Sequence, residues 1–112
     1  MSKLLRFYLS NTDTYHHQNV YDLIARSAKR YGIAGATVFR GSMGFGLSSE
    51  LRSDKFWEFN IKQPIVIDMV DEEAKLKGFL DSLRPMLEEL PKGFLITMQE
   101  VDVVMQKAGP KK

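Results

Sequence analysis

With 112 residues, 44% of them hydrophobic and 27% charged, the chain reads as one globular domain over 1–112, with an ordered core expected over 3–105 and a flexible tail over 106–112. No apolar run approaches the roughly 20 residues that span a bilayer, there is no cysteine for a disulfide or thiolate metal site, and a net charge of +2 is too small to point to nucleic acid. The opening Met1-Ser2-Lys3 lacks the pattern of a secretory signal, so cytoplasmic residence is expected.

Along the chain, Leu5, Phe7 and Leu9 alternate with Arg6 and Tyr8, which predicts a first strand over 4–9. Residues 10–17 are polar and turn-forming. Val20, Leu23, Ile24, Ser27, Ala28 and Tyr31 then recur at the spacing of one helix face, with Asp22, Arg26, Lys29 and Arg30 opposite and Gly32 as a left-handed cap. A second strand is predicted over 36–40, and a glycine-rich bend follows it. Residues 47–60 carry no period, and a run of that length between strands is more often functional than idle.

Pro64 suits the first residue of a strand that runs through Ile65, Val66, Ile67, Asp68, Met69 and Val70. Asp71 is expected to cap a second helix carrying Leu76, Phe79, Leu80, Leu83 and Leu87, which Pro85 ends or kinks. Pro91-Lys92-Gly93 is a turn, and residues 95–105 read as a final strand or a pair of short strands. The order β-α-β-β-α-β is that of a ferredoxin-like α+β domain, an antiparallel sheet with both helices on one face. The other face is expected to stay open, lined by Tyr8, Val66 and Val70 with Arg6 and Asp68, and a half-apolar open face argues for self-association.

Gly41-Ser42-Met43-Gly44-Phe45-Gly46 is the stretch that bears most on function. Its G-x-x-G-x-G order reverses the dinucleotide fingerprint, it opens no helix, and no Gly-Lys-Ser/Thr follows, so neither a Rossmann turn nor a P-loop fits. Two readings stand: a purely structural bend, or an anion cradle in which backbone N–H groups act with Arg40, Arg52 and Lys55 on phosphate oxygens.

His16 and His17 are read as solvated loop residues, because neighbours point apart; a metal site through His16, His17 and Asp13 is the alternative. Lys55, Phe56, Trp57 and Phe59 could stack on bases. An RNA-recognition sheet, however, needs aromatics on its third strand, and residues 65–70 have none, so no nucleic-acid partner is expected. No nucleophile, base and orienting acid assemble, so the chain is not expected to be an enzyme; one acting on a phosphorylated metabolite is the alternative.

The run Gly35-Ala36-Thr37-Val38-Phe39-Arg40 with the glycine motif after it resembles the small, uncharacterised bacterial and archaeal proteins related to the PII signal-transduction proteins. Residues 5–8, 21–24, 32–36, 64–71, 76–80 and 96–101 agree in order and spacing, so the resemblance covers residues 3–105. It implies a trimer whose three sheets pack around the threefold axis. It also implies a target-contacting loop over 43–60, and a nucleotide cleft between subunits in which Gly44, Phe45 and Gly46 take part. The second phosphate-binding loop of PII proteins is matched here only by Lys92-Gly93. Glu88 and Glu89 beside it would repel a triphosphate, which favours AMP or ADP. A membrane transport protein is the partner class the resemblance suggests, with no cofactor required and no insertion into the membrane itself.

Overall fold

The computed structural model describes residues 1–45 and 63–110, together with the backbone of Arg52 and Ser53. The chain forms β1 (Ser2–Ser10), β2 (Thr14–Tyr15), β3 (Gln18–Asn19), α1 (Val20–Tyr31), β4 (Ala36–Arg40), β5 (Met43–Gly44), β6 (Arg52–Ser53), β7 (Pro64–Glu72), α2 (Glu73–Glu89) and β8 (Leu95–Glu100). The main sheet has the order β4-β7-β1-β8, with every neighbouring pair antiparallel. This is the expected ferredoxin-like arrangement, with the two long strands β1 and β7 at the centre.

Strand alternation divides the sheet. Leu5, Phe7 and Leu9 of β1 and Ile65, Ile67 and Met69 of β7 are buried on one face. Both helices cover that face: Val20, Ile24 and Ala28 of α1 join Leu76, Phe79, Leu83 and Leu87 of α2 in the same core. Gly32 closes α1 as the sequence predicts, at φ 97°, its N–H donating to the carbonyls of Ala28 and Lys29.

The opposite face carries Arg6, Tyr8, Val66, Asp68 and Val70, as expected, and adds Phe39 of β4, opposite Val66, and Leu95 of β8, opposite Tyr8. Nothing among the described residues covers it: Tyr8 and Val70 are each 38% exposed, Phe39 51% and Leu95 52%. At its centre the Arg6 guanidinium donates to both oxygens of Asp68, at 2.6 and 2.8 Å. That carboxylate pushes the guanidinium's pKa further up, so the charge is locked on.

Four sequence expectations are corrected. Asp71 does not cap α2, because β7 extends through it to Glu72. Its Oδ1 instead accepts the Glu72 N–H, and its Oδ2 the Ala34 N–H across the α1–β4 turn. Pro85 does not end α2, which runs on to Glu89 with Leu83 and Leu87 on either side of the proline seated in the core. β8 stops at Glu100, opposite Lys3, because β1 has almost run out there. Residues 101–105 form no strand, and Val103, Val104 and Met105 are exposed. Finally, the polar stretch after β1 contains a hairpin, β2 on β3, whose two turn residues His16 and His17 both have positive φ, 50° and 68°.

Candidate anion site at the loop root

β4 ends at Arg40, and one residue later the chain turns away from the sheet. Met43 and Gly44 pair with Ser53 and Arg52, so the segment leaves and returns side by side before β7 begins at Pro64. Gly41 is the hinge of this root. Its N–H donates to the Pro64 carbonyl at 2.8 Å, and a Cβ placed on it would lie 2.6 Å from Pro64 Cγ. Its φ is not positive, so close approach to the proline ring is what requires glycine here. The Gly41 N–H is thereby spent on Pro64 rather than offered to an anion. Gly44 is less constrained, since a Cβ there would meet Pro64 Cγ at 3.4 Å.

Arg40 faces Ile65 at the last rung of β4, on the helix side of the sheet. It therefore reaches α1. Its Nη2 donates to the Tyr21 hydroxyl at 3.2 Å, its Nη1 to Gln63 Oε1 at 3.5 Å, and the guanidinium lies 5.7 Å from the centre of the Tyr21 ring. All of these partners are neutral. Among the described residues no carboxylate stands within ion-pair distance of Arg40.

Gln63 is itself held at both backbone groups. Its N–H donates to Asn11 Oδ1 at 2.8 Å, and its carbonyl accepts the Asn11 N–H at 3.0 Å. Asn11 thus continues the β1–β7 ladder one residue past Ser10 and Pro64, using a side chain as backbone.

Of the sequence candidates, the structure brings Arg40, Gly41 and Gly44 together around Pro64 and leaves Phe45 beside them, 75% exposed. Gly46, Lys55 and the Arg52 side chain lie outside the described residues. The sequence does not mark Tyr21, Gln63 or Asn11 as site residues. Tyr21 is an ordinary amphipathic-helix position, and the pairing of Asn11 with Gln63 spans 52 residues.

The histidine alternative finds no ligand set. Among the described residues no group of three or more His, Asp or Glu side chains is placed to hold a metal ion. Asp13 is buried, with Oδ2 accepting the Ser10 N–H at 3.0 Å, its backbone carbonyl accepting the first N–H of α1 from Val20, and Oδ1 without a partner among the described residues.

The fold is shared with PII-like proteins of known structure. CPII of Thiomonas intermedia K12, solved bound to ADP, AMP and acetate, superposes with a TM-score of 0.63 at 18% identity, covering 93% of this chain and 89% of that one. A Thermus thermophilus protein described as a putative PII-like signaling protein superposes at 0.64 and 16% identity, over 92% and 89%. The class is therefore the PII-like fold.

Within it, the chain belongs to the family described as Uncharacterized ACR, COG1993 (DUF190), which matches residues 2–103. Among its relatives is a UPF0166 protein of Aquifex aeolicus (strain VF5), 33% identical over 91% of this chain and 92% of its own length. Another is a UPF0166 protein of Methanocaldococcus jannaschii, 31% identical over 78% and 80%.

Proposed function

We propose that this chain is a PII-like homotrimeric regulatory protein. It binds a small adenine nucleotide, AMP or ADP, or a related anion beside the loop root, and it signals through residues 43–60 to a partner. The observation that carries the reading is Arg40: a guanidinium at the foot of the glycine motif whose partners among the described residues are all neutral, which leaves it for an incoming phosphate. ADP and AMP in the CPII structure support the ligand class. The open apolar sheet face supports self-association, because burying it against copies of itself removes exposed Tyr8, Phe39, Val70 and Leu95 from water. A membrane transport protein is the partner class we favour, on the family resemblance; none of the described helices is long and apolar enough to cross a membrane.

Titration calorimetry with AMP, ADP and ATP tests the binding step. Heat with AMP or ADP, at an affinity that falls by about tenfold or more in Arg40→Gln, is the expected result. A protein that takes up none of the three is not a nucleotide sensor. Turnover of any nucleotide on prolonged incubation would make it an enzyme instead.

A further inference from the structure

The guanidinium of Arg40 is aimed by its neighbours, and this has a consequence for the same site. We propose that Tyr21, together with Gln63 fixed by Asn11, is the positioning partner of Arg40, so that the four residues form one unit presenting to a phosphate or carboxylate a guanidinium that no carboxylate among the described residues neutralises. The inference rests on the reading that an anion binds beside Arg40.

Compare the other arginines of the described chain. Arg6 takes Asp68, Arg26 takes Asp22 and Arg84 takes Asp81, each a carboxylate within 3.2 Å. Arg30 lacks an acid, but it makes only one contact, 3.4 Å to the Ser27 hydroxyl one turn back on its own helix. Arg40 is different in kind. It is gripped from two other elements, α1 and the residue before β7, and neither grip carries charge.

A guanidinium has five N–H donors in a fixed plane, and the two contacts use one on each terminal nitrogen. That leaves three, enough for a bidentate pair with a phosphate or carboxylate. Tyr21 supplies more than an acceptor, because the guanidinium also lies 5.7 Å from its ring centre, at the hydroxyl end, and that contact limits how the donors can swing.

Gln63 would be a poor anchor were it free to move. Asn11 holds both of its backbone groups, so its Oε1 hangs from a fixed point. Gly41 alongside can carry no side chain without meeting Pro64, which keeps the backbone next to the fork bare. The chain thus restrains a long, flexible side chain before any ligand arrives. Preorganisation of that kind lowers the ordering cost of binding.

The test is a double-mutant cycle read by titration calorimetry with AMP, with adenosine as the ligand that lacks the anion. Arg40→Gln is expected to weaken AMP by about tenfold or more. Tyr21→Leu is expected to weaken AMP by about 3- to 10-fold through the lost positioning, and Tyr21→Phe, which keeps the ring, by less. Adenosine affinity stays unchanged throughout. The deciding measurement is Tyr21→Leu in the Arg40→Gln background, where it should cost AMP nothing further. If the two losses simply add, or if Tyr21→Leu leaves AMP affinity intact while Arg40→Gln lowers it, Tyr21 is a packing residue and the proposal fails alone. If Arg40→Gln leaves AMP affinity unchanged, or if the unaltered protein binds neither AMP nor inorganic phosphate, the anion reading falls and takes this one with it. Melting curves for each variant separate loss of positioning from loss of fold, and Tyr21→Phe remains informative if Tyr21→Leu melts early.

Discussion

Gly41 and Asp71 each hold two distant parts of the chain together. The Gly41 Cα sits against the ring of Pro64, and a proline ring cannot swing aside as a flexible side chain would. Gly41→Ala is therefore expected to destabilise the protein by about 1–3 kcal/mol, whereas Gly44→Ala, with 3.4 Å available, should cost clearly less. Chemical denaturation of the two variants side by side decides it. Equal losses would mean that the Pro64 contact is not what selects glycine. The sequence draws attention to these glycines by their density. It cannot reveal why position 41 needs one, because the reason lies 23 residues away in a single proline ring.

The sequence pattern makes Asp71 a cap for the helix beside it, but its carboxylate turns instead to the Ala34 N–H in the turn between α1 and β4. Burial opposes its ionisation. The N–H groups of Glu72 and Ala34, with Lys75 nearby, more than offset this and hold its pKa below the ordinary carboxylate value. A lowered carboxylate pKa contributes stability in full above its unfolded value of 3.8 and loses it as pH falls through the folded value. Asp71→Asn should thus cost about 1–2 kcal/mol at pH 7, and the gap to the unaltered protein should close as the pH is taken below 3.8. A gap that stays constant down to about pH 2.5 would show that the charge is irrelevant.

Among the elements, the β2–β3 hairpin is the one that residue patterns hide. A two-residue turn with both φ positive usually announces itself as Asn-Gly, and here histidines stand in both places. Each imidazole-bearing residue is held in the left-handed region, at a cost of order 1 kcal/mol. Replacing the pair as His16→Asn with His17→Gly is expected to stabilise the protein by about 1 kcal/mol, measured as a higher denaturation midpoint. A lower midpoint would mean that the imidazoles, one of which lies edge-on to Tyr15, make contacts worth more than the backbone strain.

The other elements show what periodicity reads well. Every core position of α1 and α2 is visible as a 3.6-residue stripe, and the central strands as alternation. Their ends are less visible, because strand length is set by the partner. β8 stops one residue short of the start of β1, although Val101, Val103 and Met105 continue the alternation. α2 survives Pro85 because Leu83 and Leu87 on either side are anchored in the core, a tertiary effect that overrides local propensity.

Across the whole molecule, the order of elements is enough to give the topology, and among the described residues that topology leaves one sheet face bare. Loop positions are far harder to read, since no period constrains them. The proposed trimer predicts a solution mass three times that of the chain, and a Tyr8→Glu variant that sediments as a smaller species with its far-UV circular dichroism retained. A monomeric mass for the unaltered protein, or a trimer indifferent to Tyr8→Glu, would remove the open face from the interface. The Arg6–Asp68 pair sits amid that face, so assembly would take an already satisfied pair out of water rather than two lone charges.

Asn11 and Pro64 have a further consequence, for how this protein can vary. Between them, the Gly41–Pro64 and Asn11–Gln63 hydrogen bonds fasten both ends of the intervening segment to the sheet, and the Gly44–Arg52 rung ties those ends to each other. What happens to the length of that segment is then nearly invisible to the rest of the fold, because doubling a closed loop costs only about 0.6 kcal/mol. About ten Gly/Ser residues inserted between Ser53 and Gln63 should leave the melting temperature within a few degrees of its starting value, while the same insertion between Ser10 and Asn11, upstream of the clamp, should lower it sharply. With both ends so clamped, the root is a socket: the length of what lies between the clamps can change without renegotiating the core.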